Sequence, residues 1–132
     1  MTESKLHYPV RRILVTGSRD WTDEALVAKV LFGYWYEAGR SNDVVLVHGA
    51  AQGLDQMAAT IWTKNGQHAE AYPADWNLYG KRAGIIRNLK MIDLQPEHCF
   101  AFIKNQSRGA SHCAAAADAA GIPTTIFRED SE

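Results

Sequence analysis

Short apolar runs that alternate with stretches of helical periodicity constrain this chain more than any other feature. Arg12-Ile13-Leu14-Val15-Thr16, closed by Gly17, and Val44-Val45-Leu46-Val47 lack the polar alternation of a half-exposed strand. Both read as strands buried on two faces. Ala69-Glu70-Ala71-Tyr72, stopped by Pro73, is a weaker third run, Cys99-Phe100-Ala101-Phe102-Ile103 a fourth, and Thr124-Thr125-Ile126-Phe127 the last. Between them lie helical patterns. Thr22-Asp23-Glu24 offers a cap and first-turn acids ahead of Leu26, Val27, Val30, Leu31 and Tyr34, with Gly39 as the stop. Asp55 is a candidate cap for a helix carrying Met57, Ala58, Ile61 and Trp62, ending near Gly66. A polar loop through Asp75-Trp76-Asn77 leads to a helix from about Lys81 to Leu94 with Ile85, Leu89 and Ile92 at i, i+4, i+7, and an alanine-rich helix runs from Ser107 to Gly121.

Strands separated by helices pair in parallel through right-handed crossovers, with helices on both faces of the sheet. The predicted fold is therefore a Rossmann-like three-layer α/β/α sandwich with a mostly parallel sheet of about five strands. The expected divisions are a lead-in over 1–10, a single domain over 11–128 and a fraying acidic tail over 129–132. No apolar run approaches the roughly 20 residues of a membrane span. No apolar core of a signal peptide follows Met1-Thr2-Glu3-Ser4-Lys5, so the expected location is cytoplasmic. Cys99 and Cys113 are the two cysteines and form neither a disulfide framework nor a zinc pattern, so no metal site is expected. A formal net charge of −1 argues against bulk electrostatic binding of nucleic acid and leaves room for one local basic cleft.

In an open parallel sheet, ligands bind beyond the carboxyl ends of the strands. Loops rich in small residues fall at those ends here: Thr16-Gly17-Ser18-Arg19, then His48-Gly49-Ala50-Ala51-Gln52-Gly53-Leu54-Asp55, then Ser107-Arg108-Gly109-Ala110-Ser111. Each opens or approaches a helix, where free N–H groups and the helix dipole favour an anion, and glycine lets backbone approach a phosphate. The dinucleotide fingerprint G-x-G-x-x-G and the P-loop G-x-x-x-x-G-K-[ST] are both absent, so a phosphate site here is of another kind. Arg19, Arg87 and Arg108 are the cationic candidates, since a guanidinium grips phosphate with paired hydrogen bonds. Arg87, beside Asn88 on a helix, could equally be a solvated surface residue. His48 either donates to a ligand or caps its strand, the latter favoured; Asp55 caps its helix, with a ribose hydroxyl as a second partner. Trp21, Trp76 and Tyr79 are candidates to stack on a base, whereas Trp35 and Trp62 belong to helices and to core or interface.

Taken in order, Val15-Thr16-Gly17-Ser18-Arg19-Asp20-Trp21 and Val47-His48-Gly49-Ala50-Ala51-Gln52-Gly53-Leu54-Asp55 resemble the SLOG superfamily. That group joins DNA-processing protein A, the cytokinin-activating LOG enzymes and the lysine-decarboxylase-like proteins. Pro73-Ala74-Asp75-Trp76, Ala83-Gly84-Ile85-Ile86-Arg87-Asn88 with Met91, Arg108-Gly109-Ala110 and Ala120-Gly121-Ile122-Pro123 are similar to its YspA/YAcAr-type members, domains of unknown function common in bacteria and phages. The resemblance covers residues 12 to 127. It implies a Rossmann-like sheet, homo-oligomers that are often dimers, and a nucleotide or nucleotide-derivative pocket built from the small-residue loops and the Arg87-Asn88 helix. The expected ligand-binding residues are Gly17, Ser18, Arg19, His48, Gly49, Ala50, Gly53, Asp55, Arg87, Asn88, Arg108, Gly109, Ala110 and Ser111.

LOG enzymes carry P-G-G-x-G-T-x-x-E, whose glutamate supports cleavage of the base–ribose bond. Here Ala110 stands for the threonine and Cys113 for the glutamate. A thiol with an ordinary pKa near ~8.5 cannot replace a carboxylate at neutral pH. The reading therefore leans away from an enzyme, with no catalytic residue assigned and no cofactor required. It expects binding or sensing of a small phosphate-bearing ligand, a nucleotide or nucleotide derivative. The alternative is a nucleoside-5′-phosphate N-glycosidase, in which Asp20, Asp55 or Asp75 would substitute for the missing acid. The lesser alternative is binding of single-stranded DNA, which needs a positive groove and stacking platforms.

Overall fold

A computed structural model of the chain describes residues 10–40, 42–105 and 107–129. In chain order these form β1 (Arg11–Gly17), α1 (Glu24–Glu37), β2 (Val44–His48), α2 (Leu54–Lys64), β3 (Ala69–Ala71), α3 (Trp76–Tyr79), a 3-10 turn (Gly80–Arg82), α4 (Ala83–Asp93), β4 (His98–Lys104), α5 (Arg108–Ala119) and β5 (Thr124–Glu129). The sheet runs in the order β3-β2-β1-β4-β5, and every neighbouring pair is parallel. This is the predicted three-layer architecture.

Side-chain alternation along β1 divides the core. Ile13 and Val15 point into one apolar cluster with Val27 and Leu31 of α1 and Leu54, Ala58 and Trp62 of α2. Leu14 points the other way, to Met91 and Ile92 of α4 and Cys113 and Ala117 of α5. Ala101 and Ile103 of β4 meet Ala110 and Ala114 of α5, so small side chains bring that helix close to the sheet. Each fully buried aliphatic side chain of this kind contributes about 1.5–3 kcal/mol. Capping follows local sequence. Asp23 accepts from the Leu26 amide at 3.0 Å, Asp75 from the Leu78 amide at 3.0 Å, and Ser107 from the Ala110 amide at 3.5 Å.

The structure departs from the sequence reading at definite places. The segment expected as a polar loop before α4 is the short helix α3 and the 3-10 turn. On α4 the buried positions are Ala83, Asn88, Met91 and Ile92, while Ile85 and Leu89 are about half exposed. A polar side chain turns inward because it finds partners there, and the helix is rotated away from its apolar period. Trp21 is no stacking platform. It is buried, its indole N–H donates to the Asp23 carbonyl at 3.0 Å, and its ring meets Phe102 edge-on. Glu129 is not part of a fraying tail, since it ends β5 and its carboxylate accepts from the Thr22 amide at 2.9 Å. Residues 130–132, and all of the lead-in except Val10, lie outside the described residues. Among the described residues no helix is long and apolar enough to cross a membrane.

β1 and β4 are neighbours, yet β1 runs on into α1 on one face and β4 into α5 on the other. The loops leaving them diverge, and a crevice opens at the carboxyl ends of the strands.

Candidate functional site

At that crevice lies a hollow of about 700 Å³. Its walls are Thr16, Gly17, Arg19 and Asp20 after β1, Ala51 and Asp55 after β2, Trp76, Lys81, Gly84, Ile85, Arg87 and Asn88 from α3 to α4, and Lys104, Asn105, Ser107, Arg108, Gly109, Ala110 and His112 around the start of α5. Five cationic side chains face two acidic ones there, in a chain of net charge −1. A larger groove, about 870 Å³, lies at the opposite ends of β4 and β5, lined by residues such as Ile92, Pro96 and Ile122. It is the roomier of the two, but its lining holds one cation, Lys90, against Asp93 and Glu97. Convergent polar groups mark a ligand site better than volume does.

The loop after β1 is tied into the fold. Ser18 is buried; its hydroxyl donates to the Lys104 carbonyl at 3.0 Å and accepts from the Lys104 amide at 2.7 Å. The Ser18 carbonyl accepts from the amides of Trp21 and Leu54. A Cβ on Gly17 would stand 2.3 Å from Leu54 Cγ, so glycine there admits the start of α2. What the loop offers the hollow is the exposed Arg19 side chain.

The loop after β2, expected to cradle an anion, already holds one of its own. Asp55 Oδ2 accepts from the Gly49 amide at 2.9 Å and the Ala51 amide at 3.3 Å, and the Ala50 amide donates to His48 Nδ1 at 3.0 Å. Asp55 therefore does not cap α2, whose cap position is Gly53. The cost of taking its charge out of water outweighs those N–H bonds, and burial pushes its pKa up to about 6. His48 has the strand-end role, and burial holds its pKa below the ordinary range.

Arg87 is no free surface residue. Its guanidinium donates to the carbonyl of Gly49, to that of Tyr72 at 3.4 Å, and from Nε to Asn88 Oδ1 at 2.9 Å. A Cβ on Gly49 would fall 2.4 Å from Arg87 Nη1, so this glycine makes room for an arginine and not for a ligand. Asn88, almost fully buried, carries the link onward. Its Nδ2 lies 3.4 Å from the Gly109 carbonyl and 3.2 Å from His112 Nδ1. The pair clips the loop after β2 to α4 and to the first turn of α5.

That first turn is the open anion position. Beyond the Ser107 cap, the Arg108 and Gly109 amides make no hydrogen bond to any described residue, and a Cβ on Gly109 would meet nothing within 4 Å. Free N–H groups and the positive helix end point into the hollow there. Among the described residues Arg19, Lys81 and Arg108 have no acidic partner, whereas Lys104 pairs with Glu129 at 3.7 Å.

Of the residues expected from sequence, Gly17, Arg19, Asp55, Arg87, Asn88, Arg108, Gly109 and Ala110 line the hollow; Ser18, His48, Gly49, Ala50, Gly53 and Ser111 do not. Trp76 joins it with its indole 55% exposed, and Tyr79 stands outside. Among the glycosidase candidates Asp20 and Asp55 line it, Asp20 accepting from Asn105 Nδ2 at 2.7 Å, while Asp75 caps α3. Cys113 is buried, and burial pushes its thiol up to about 11, so it supplies no thiolate. Lys81, Lys104 and His112 were missed, because no motif marks them and only the turn between α3 and α4 brings Lys81 in.

Comparison with known proteins agrees with the fold. Residues 11–79 match the family described as YspA, cpYpsA-related SLOG family. Over 123 residues the chain is 36% identical to the gene 61 protein of Mycobacterium phage D29, covering 89% of this chain and 97% of that protein. Among solved structures it is similar to DNA processing protein A (DprA) from Streptococcus pneumoniae, with a TM-score of 0.68 and 19% identity over 89% of this chain. The chain spans 50% of that structure's length, and at this identity the likeness is one of fold. The match over residues 11–79, joined to a near full-length phage relative, places this chain in the YspA, cpYpsA-related SLOG family.

Proposed function

We propose that this chain binds a small phosphate-bearing ligand, a nucleotide or nucleotide derivative, in the hollow at the carboxyl ends of β1 and β4. The observation that carries the reading is the first turn of α5. Among the described residues its Arg108 and Gly109 amides have no hydrogen-bond acceptor, and Arg19, Lys81 and Arg108 stand around the same hollow without acidic partners. An anion placed there gains charge-assisted hydrogen bonds and the helix dipole together. Calorimetric titration with mononucleotides, ADP-ribose, cyclic nucleotides and inorganic phosphate tests it. Arg108→Ala is expected to weaken binding by about ten- to a hundredfold, the loss of one or two charged hydrogen bonds. Folded protein that binds none of these compounds sinks the reading.

A second reading, hydrolysis of the base–ribose bond, draws on one observation: Asp55 lines the hollow with a pKa raised to about 6, the range of a general acid or base. Water would add at the anomeric carbon as the base leaves with a proton. Incubation with AMP and chromatography for free adenine decides it. The name of the structural relative raises DNA as a ligand, but five cationic side chains converge on one hollow here, which favours a compact ligand. A dimer is the assembly expected from the family resemblance, and sedimentation analysis tests it.

A further inference from the structure

The reading above leaves one charged group in the hollow unexplained. Asp55 is 5% exposed, and both hydrogen bonds it accepts from the protein, from Gly49 and Ala51, go to Oδ2. Oδ1 accepts none from any described residue, yet it is not sealed from the hollow. A carboxylate this deep, with one oxygen unspent and facing a cavity, is a hydrogen-bond acceptor waiting for a donor.

The charge pattern says what kind of donor. Phosphate oxygens are acceptors and carry the same sign as Asp55, so the phosphate must sit away from it, at the first turn of α5. The Arg87 guanidinium already lies close enough to favour the Asp55 charge. A second cation from the ligand is therefore not needed for neutrality, and a neutral O–H donor fits best. Asp55 also acts electrostatically on Cys113, in the second turn of α5, so the carboxylate and the proposed phosphate position flank one compact space.

We infer that Asp55 holds a sugar hydroxyl of the bound molecule, so that the hollow selects ribonucleoside phosphates over their deoxy counterparts and over bare phosphate. This inference rests on the phosphate-binding reading and goes beyond it by assigning specificity to one residue. The ionised carboxylate accepts from the hydroxyl through Oδ1 while Oδ2 keeps its two backbone donors, so binding requires no rearrangement of the loop.

Calorimetry on the unmodified chain, with AMP and CMP set against their 2′,3′-dideoxy forms, tests it without any substitution. At least one ribonucleotide is expected to bind about tenfold or more tighter than its dideoxy form, the effect of losing a hydrogen bond to a charged group. Asp55→Asn, whose Oδ1 can still accept from Gly49 and Ala51, is expected to shrink that ratio to about twofold, because an amide N–H₂ turned to the hollow can only donate a neutral hydrogen bond to the hydroxyl oxygen and the charge-assisted bond is lost. Equal affinity for both members of each pair overturns the inference and leaves phosphate binding standing. Absence of binding by all four compounds overturns both. A ratio unchanged in folded Asp55→Asn assigns the hydroxyl to another residue and also overturns it.

Discussion

Asp55→Asn is expected to make the folded chain more stable at alkaline pH. Burial lifts the carboxyl of Asp55 from an ordinary value of 3.8 to about 6, although the amides of Gly49 and Ala51 and the charge of Arg87 all pull the other way. Between those values the folded chain holds a proton that the unfolded chain has released. Stability therefore falls as pH climbs through that window and stays lower by a fixed amount above it. At ~1.36 kcal/mol per pH unit, that deficit comes to about 3 kcal/mol. Asparagine has nearly the same shape, keeps an acceptor for both amides and never ionises, so it escapes the deficit. Urea unfolding of the two proteins at about pH 4.5 and about pH 8 measures the effect. The variant should be more stable by as much as ~3 kcal/mol at the higher pH and by only about 1 kcal/mol at the lower, where the unfolded chain has already released most of its proton. Comparing the proteins at each pH cancels the opposing contribution of His48, whose lowered pKa favours folding as pH rises. If asparagine destabilises at about pH 8 by more than at about pH 4.5, the ionised carboxylate is a net stabiliser and the reasoning is refuted.

Other expectations follow from the same contacts. Cys99 and Cys113 are fully buried with thiols pushed up by burial, so a disulfide reagent at about pH 8 should label neither until the chain is unfolded. Rapid labelling of Cys113 in the folded state would contradict its place on the buried face of α5. Gly53→Ala forces a side chain onto a backbone with φ +81° and sets its Cβ 2.2 Å from the Arg19 carbonyl oxygen. It should cost more than about 2 kcal/mol in urea unfolding. Gly39→Ala, at φ +86° with open space around it, should cost only about 1 kcal/mol, since it meets the backbone penalty alone. Equal losses would mean that the loops after β1 and β2 are not in contact.

How much of this was legible depended on whether a residue's fate was local. The buried strands could be read because burial on both faces leaves no polar alternation, and Ile13-Leu14-Val15 sits in the structure as its composition demands. Asp23 was legible as a cap because its partner is three residues away. Asn88 was not, since its inward turn depends on Arg87, Gly109 and His112 meeting it across two helices. Glycine was the most misleading signal. Gly17, Gly49 and Gly53 read as places for a phosphate to approach, yet the room they leave is taken by Leu54, Arg87 and the Arg19 backbone. A missing Cβ announces a close neighbour without naming it. Gly109, with nothing near it, is the one whose space stays open. Likewise Trp21 and Trp76 look alike as loop aromatics, and only the edge contact with Phe102 draws the first into the core.

Two backbone amides form the heart of the proposed phosphate site, so amide chemical shifts followed during titration with AMP report on it most directly. The largest changes are expected at Arg108 and Gly109, with smaller ones at Arg19 and Lys81. Changes confined to Gly49 and Ala51, or to the groove beside Pro96 and Gly121, would contradict the account.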